Sequence, residues 1–134
     1  MPKTHYIAAP SHGCAWITGA SSGIGRQLAV DLARAGWTVA VTARSADRLV
    51  ELERISEAVS GSIHAFPGDV SETSTMAETC KDIERRFGAI ALLVANAGLY
   101  WPQDGLNGDP EAFRKSIDVN LMGSVNVLLP VISA

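Results

Sequence analysis

Between residues 18 and 25 the chain reads Thr18-Gly19-Ala20-Ser21-Ser22-Gly23-Ile24-Gly25, with a short apolar run before it and a longer amphipathic stretch after it. Glycine tolerates left-handed backbone and lets a ligand or another chain segment come close. A helix N-terminus presents unpaired N–H groups and a partial positive charge of about 0.5. A glycine-rich turn leading from a strand into a helix therefore suits a phosphate. Ser21 and Ser22 add hydroxyl donors, and Gly25 lets the helix pack closely on the sheet. The spacing is G-x-x-x-G-x-G, not the G-x-G-x-x-G of the common dinucleotide fingerprint. It is not a P-loop either, because no Lys-Ser/Thr follows the last glycine. The plain alternative is a tight β–α turn that holds nothing.

The rest of the chain repeats this alternation. Residues 14–18 form a short strand, and Ile24, Leu28 and Leu32 fall on one face of a helix that closes at Gly36. A β-branched strand follows at 38–42, then a helix over 46–60 with Ser45 at its N-cap, a stripe of Leu49, Leu52 and Ile55, and Gly61 as its stop. A third strand at 62–66 is broken by Pro67-Gly68. A third helix spans 72–87, with Met76, Cys80, Ile83 and Phe87 inward. Residues 90–95 are apolar throughout, which predicts a fully buried fourth strand. A Gly/Asp/Asn-rich loop runs from 98 to 109. Asp109-Pro110 then opens a helix through Leu129, with proline at its first position. The order βαβαβαβα implies a parallel sheet with right-handed crossovers and helices on both faces. Residues 1–13 show no period and are read as a loose leader; residues 14–134 form the domain. The last helix has no returning strand after it, which reads as the front part of a longer protein.

Composition narrows the function classes. The chain has 134 residues, 47% of them apolar and 19% charged, enough for one globular domain with its own core. A net charge of -3 provides no wide basic field for nucleic acid. The longest purely apolar run, 89–95, is far short of the roughly 20 residues that span a bilayer. The N-terminal residues lack the apolar core of a signal peptide, so a cytoplasmic protein is expected. Cys14 and Cys80 make no disulfide framework, and His5, His12 and His64 do not pair with them at zinc spacing.

Four stretches in order carry a family resemblance. Thr18–Gly25 resembles the TGxxxGxG signature of the short-chain dehydrogenase/reductase superfamily. Gly68-Asp69-Val70 resembles its adenine-holding Asp-Val. Ala95-Asn96-Ala97-Gly98 resembles its NNAG, with Ala95 in place of the first Asn. Asp118-Val119-Asn120 resembles the segment carrying its catalytic asparagine. The resemblance covers roughly residues 14–132. It implies a Rossmann-type, doubly wound three-layer α/β/α fold with strand order 3-2-1-4, cut off after the fourth helix. It also implies an oxidoreductase that moves hydride between a nicotinamide and a carbonyl or secondary alcohol. By the same resemblance, Thr18, Gly19, Ser21, Ser22, Gly23, Ile24, Gly25, Asp69, Val70, Asn96, Ala97 and Gly98 contact the cofactor.

The end of the second strand bears on which cofactor. A ribose 2′-hydroxyl is usually held there by a carboxylate. This chain has Thr42-Ala43-Arg44-Ser45 instead. Arg44 offers a fixed cation with a planar donor fork, and Ser45 a hydroxyl beside it, which suits a 2′-phosphate. NADP(H) is therefore expected ahead of NAD(H), the alternative being a solvated arginine at a helix start. Asp69 can accept from the adenine amino group or cap the third helix. Asn96 can brace the neighbouring turn or line the ribose site. Tyr100, Trp101 and Gln103 either line a substrate pocket or only pack the loop.

The proton-transfer groups are missing. Hydride transfer at a carbonyl needs a proton donor whose pKa is pulled toward neutrality from the value of about 10 for a free phenol. The family uses a serine and a Tyr-x-x-x-Lys pair for this. Here Tyr6 is followed four positions on by Pro10, and Tyr100 by Asp104. Only Asn120 matches a catalytic position, where the resemblance implies that it holds a water in the proton relay; otherwise it is one polar residue on an apolar helix. Two functions follow. One is an NADP(H)-dependent oxidoreductase with an alcohol or carbonyl substrate, homo-oligomeric at full length, with this stretch inactive alone. The other is a short nucleotide-binding or interaction module without catalysis. Neither involves nucleic acid or a membrane.

Overall fold

A computed structural model describes residues 5–134; the first four residues of the expected leader lie outside the described residues. A 3₁₀ turn at Pro10–His12 precedes strand β1 (Cys14–Thr18), and Ala8 already packs against the core. Helix α1 (Gly23–Arg34), strand β2 (Thr38–Thr42), helix α2 (Ala46–Ser56), strand β3 (Ser62–Ala65), helix α3 (Thr73–Phe87) and strand β4 (Ile90–Val94) follow. All strand pairs are parallel, and the sheet order is β3-β2-β1-β4. This is the Rossmann-type doubly wound arrangement. β1 and β2 are central and almost wholly buried, so β-branched and apolar residues on both faces are satisfied there.

Two apolar layers sandwich the sheet. On one side Ile17, Val39, Val41, Ile63, Leu49 and Leu52 pack with Ala29, Ala33 and Trp37. On the other Cys14, Trp16 and Ala40 meet Val70, Met76, Cys80, Ile83 and Val127. Trp16 donates its indole N–H to Thr42 Oγ1 at 3.0 Å, so both buried polar groups are paired. Both cysteines are free and buried. Burial pushes the Cys80 thiol up to about 11, with Glu84 and Cys14 adding to it, so it is no nucleophile at neutral pH.

Several local expectations change. α1 buries Gly25, Ala29 and Ala33, while Ile24 is 79% exposed and Leu28 and Leu32 only flank the core. The helix sits so close to the sheet that only small side chains fit beneath it. α2 stops at Ser56, not at residue 60. The Ser56 hydroxyl donates to Glu53 O and accepts Ile63 N–H, fastening the helix end to β3. Gly61 is needed for a different reason than stopping a helix: a Cβ there would lie 2.2 Å from Trp37 O. β4 is half-buried along its whole length, because it is the outermost strand and no described strand pairs with its far side.

The last helix is not uniform. α4 (Pro110–Ile117) passes into a π-helical turn, Asp118–Met122, and then α5 (Gly123–Ser133), which contains Pro130. Asp109 caps α4 by accepting Glu111 N–H at 3.0 Å. The whole helix is 24 residues long, with an 18-residue window of mean hydropathy 1.3, so by length and composition alone it is long and apolar enough to cross a bilayer. The sequence already places a helix over most of this stretch, through Leu129, but a count of unbroken apolar residues passes over its hydropathy because polar residues such as Asn120, Ser124 and Asn126 interrupt it. Its inner face packs on α3 and Val70, and Phe113, Ile117, Leu121 and Leu128 are exposed.

Candidate functional site

The carboxyl ends of all four strands gather at one edge, and the turn after β1 sits at the switch point between β1 and β4. Gly19 has φ +69° and donates its N–H to Thr42 O at 2.8 Å, which folds the turn over the end of β2. A Cβ on Gly19 would lie 2.7 Å from Ala97 Cα, and one on Gly25 would lie 2.5 Å from both Asn96 Nδ2 and Gly19 O. The turn, the first turn of α1 and the end of β4 are thus in close contact. Thr18 Oγ1 accepts Asn96 N–H and Ala97 N–H, each at 3.2 Å, and Asn96 Nδ2 donates to Gly19 O at 3.2 Å.

A cleft of about 370 Å³ opens over this junction. Gly19, Ser21 and Ser22 form one wall, Ala43, Arg44, Ser45 and Arg48 another, and Gly68, Asp69, Val70, Asn96, Ala97, Gly98, Leu99 and Val119 the rest. The N–H groups at the start of α1 have no partner within the helix, so they are available to an anion. Ser22 stands at the N-cap of α1 and Ser45 at that of α2, and neither side chain makes a capping bond. Among the described residues Arg44 forms no ion pair within 4 Å.

Asp69 is set for more than one task. Its Oδ1 accepts both the N–H and the hydroxyl of Ser71, at 2.9 and 2.7 Å, which leaves Oδ2 out of that turn. It does not cap α3, whose N-cap is Glu72. Burial raises its pKa, but the two Ser71 bonds and the Arg44 charge outweigh this and hold it below the ordinary value. A depressed folded pKa contributes stability that is complete above the unfolded value and lost as pH falls through the folded one. In Asp69→Asn, the part of the urea-midpoint decline that belongs to this group as pH falls below about 4 should vanish, with only a small loss at neutral pH. An unchanged acid limb would mean that Asp69 carries no such linkage.

The expected residues do not all meet. Gly19, Ser21, Ser22, Arg44, Ser45, Asp69, Val70, Asn96, Ala97 and Gly98 line the cleft. Thr18 lies beneath it as a brace, and Gly23, Ile24 and Gly25 form the start of α1 beside it. Asn120 sits in the π turn with both ends of its amide used. Its Oδ1 accepts Leu99 N–H at 2.8 Å and its Nδ2 donates to Leu99 O at 2.9 Å, which fixes the loop after β4. π turns often mark functional positions, because the extra residue redirects the side chains around it.

Sequence inspection missed Arg48, Leu99, Val119 and Asn126. Arg48 lies in the first turn of α2, close in sequence to Arg44, and lines the cleft with it. Asn126 is 5% exposed; it donates to Val70 O at 2.9 Å and accepts the Thr73 hydroxyl at 3.0 Å. A Cβ on Gly123 would lie 2.6 Å from Val70 Cγ2, so α5 and Asn126 together hold Val70 in place. A second cavity of about 520 Å³ shares Arg44, Asp69, Leu99 and Val119 and adds Ser71, Tyr100, Trp101, Lys115 and Asp118. Lys115 Nζ lies 5.2 Å from the centre of the Trp101 ring. Gln103 faces a structural task, accepting Asp109 N–H at 2.9 Å. Among the described residues no group of three or more His, Cys, Asp or Glu is placed to hold a metal.

Comparison with known proteins agrees with this geometry. The family described as short chain dehydrogenase matches residues 13–134. A farnesol dehydrogenase of Aedes aegypti is 38% identical over 111 residues, which is 81% of this chain and 45% of that protein. The crystal structure of a short-chain type dehydrogenase/reductase from Mycobacterium marinum superposes with a TM-score of 0.86 at 32% identity, over 90% of this chain and 49% of the other. An alcohol dehydrogenase from Thermococcus sibiricus, solved in complex with 5-hydroxy-NADP, gives a TM-score of 0.84 at 34% identity, over 90% of this chain and 52% of the other. The chain spans about half the length of the curated relatives it matches. Family profile, identity and superposition coincide on the same stretch that builds the cleft, and the chain belongs to the short-chain dehydrogenase/reductase family of NAD(P)-binding oxidoreductases.

Proposed function

We propose that this chain carries the nucleotide-binding part of an NADP(H)-dependent oxidoreductase acting on a carbonyl or secondary alcohol. One observation supports the phosphorylated cofactor above the rest: β2 ends in Arg44-Ser45 at the cleft wall, with no carboxylate there and no ion pair within 4 Å of Arg44 among the described residues. The residues fit the nucleotide. Gly19, Ser21, Ser22 and the first N–H groups of α1 suit the diphosphate, since they meet at the cleft wall where an anion can reach unpaired helix N–H groups and two hydroxyls. Val70 and Asp69 suit the adenine, Asn96, Ala97 and Gly98 a ribose, and Arg44 with Ser45 the 2′-phosphate. The bound nucleotide supplies the hydride chemistry. No tyrosine in the 134 residues is followed four positions later by lysine, so the chain by itself should bind nucleotide and turn nothing over.

Titration of the purified chain with NADPH and NADH, followed by tryptophan fluorescence, tests this, because Trp101 lines the adjoining cavity. NADPH should bind more tightly. Arg44→Asp should weaken NADPH about thirtyfold, roughly 2 kcal/mol, and leave NADH within about threefold. Equal losses for the two nucleotides would overturn the NADP(H) assignment.

A further inference from the structure

We infer that Arg48 is a second specificity residue for the phosphorylated ribose, acting with Arg44 as a two-guanidinium clamp; this rests on the NADP(H) function proposed above. Three observations converge on it. Arg48 lines the same cleft wall as Arg44 and Ser45, and all three come from the few residues that join β2 to the first turn of α2. Neither guanidinium is engaged by an acid within 4 Å among the described residues, although carboxylates surround α2. Two of those carboxylates are used elsewhere: Glu51 pairs with Arg26 at 3.6 Å, and Glu53 accepts Ala65 N–H at 2.6 Å. Ser45 completes the set, standing at the N-cap without a capping bond.

The charge balance says what such a wall recognises. Asp69 is the acidic residue on the cleft, and the field of Arg44 already acts on it while Ser71 holds one of its oxygens. A second cation with no carboxylate partner is then surplus to the protein and complementary to a ligand dianion. A 2′-phosphate has enough oxygens to accept from two planar donor forks at once, whereas a ribose hydroxyl has not. Arg48 is exposed in the free chain, so its removal takes nothing from the core.

The test is calorimetric titration of the full chain and its Arg48→Gln variant with NADPH, NADH and 2′,5′-ADP. Arg48→Gln should weaken NADPH and 2′,5′-ADP about tenfold, change NADH less than twofold, and reduce the salt dependence of NADPH binding. Arg48→Lys should recover part of the loss, since it restores charge without the fork. A variant that binds NADPH as the parent does, while Arg44→Asp still loses it selectively, would overturn the role of Arg48 and leave the NADP(H) function standing. A parent chain that does not prefer NADPH over NADH would overturn both. An equal loss for all three ligands would also overturn the clamp, because it would mean that Arg48 shapes the cleft without reading the phosphate.

Discussion

Gly25→Ala should destabilise the chain by about 3 kcal/mol and abolish nucleotide binding, although helix propensity alone predicts the opposite sign. Gly25 lies inside α1 with ordinary helical backbone, where alanine is favoured over glycine by about 0.5–1 kcal/mol. The opposing term is contact. A Cβ at this position would lie 2.5 Å from Gly19 O and 2.5 Å from Asn96 Nδ2. Gly19 O is backbone, held in a turn whose own N–H is bonded to Thr42, and the Asn96 amide is bonded to that same oxygen. Neither can retreat without opening the junction of β1, α1 and β4. Gly23→Ala is the matched control. Its φ of +58° costs an L-residue about 1–2 kcal/mol, but nothing lies within 4 Å of the added carbon. Urea denaturation followed by circular dichroism distinguishes the terms. If Gly25→Ala proved more stable than the parent, the close approach of helix and turn would be refuted.

The same contacts explain why the cleft is held open before any ligand arrives. Asn96 braces the glycine turn, Asn120 holds Leu99 by both its main-chain groups, and Asn126 holds Val70. Each asparagine donates its amide N–H to a main-chain carbonyl, with Asn126 also accepting the Thr73 hydroxyl, so each fixes a stretch of main chain that lines the cleft. Preorganised walls of this kind reduce the ordering cost of binding.

How far the sequence foretold this depends on the kind of signal. β1 and β2 are bounded as their apolar runs predict, because both faces of a central parallel strand are buried and glycine closes the turns. The helix faces were less legible. The spacing of large residues selects Ile24, Leu28 and Leu32 for the inner face of α1, yet the close contact demands the small set one position on, Gly25, Ala29 and Ala33. Hydrophobic periodicity weighs size as favourable and is blind to a helix that must lie near the sheet. For β4 the all-apolar run says that both faces avoid water but nothing about which edge of the sheet the strand takes. The π turn at Asp118–Met122 has no residue signature at all. In the cleft, the glycine turn, Arg44 and Asp69 were legible because their chemistry is local, whereas Leu99 and Val119 enter it only through tertiary packing.

Thr18→Val should cost about 2–4 kcal/mol and uncouple the nucleotide cleft from the sheet, while Thr18→Ser should cost about 1 kcal/mol and keep binding. Thr18 is 1% exposed, and its hydroxyl oxygen accepts from two successive main-chain N–H groups, those of Asn96 and Ala97. Valine fills the same space but has no acceptor, so both donors lose their partner where water has little access. Serine keeps the oxygen and gives up only a methyl group. The two variants therefore divide packing from hydrogen bonding. Because Asn96, Ala97 and Gly98 line the cleft, freeing their backbone should also weaken NADPH and NADH alike, unlike the selective loss expected at Arg44. Parallel urea melts and nucleotide titrations decide the matter. Should Thr18→Val and Thr18→Ser prove equally stable, the end of β4 must be held by packing alone, and the hydroxyl would have no part in building the site.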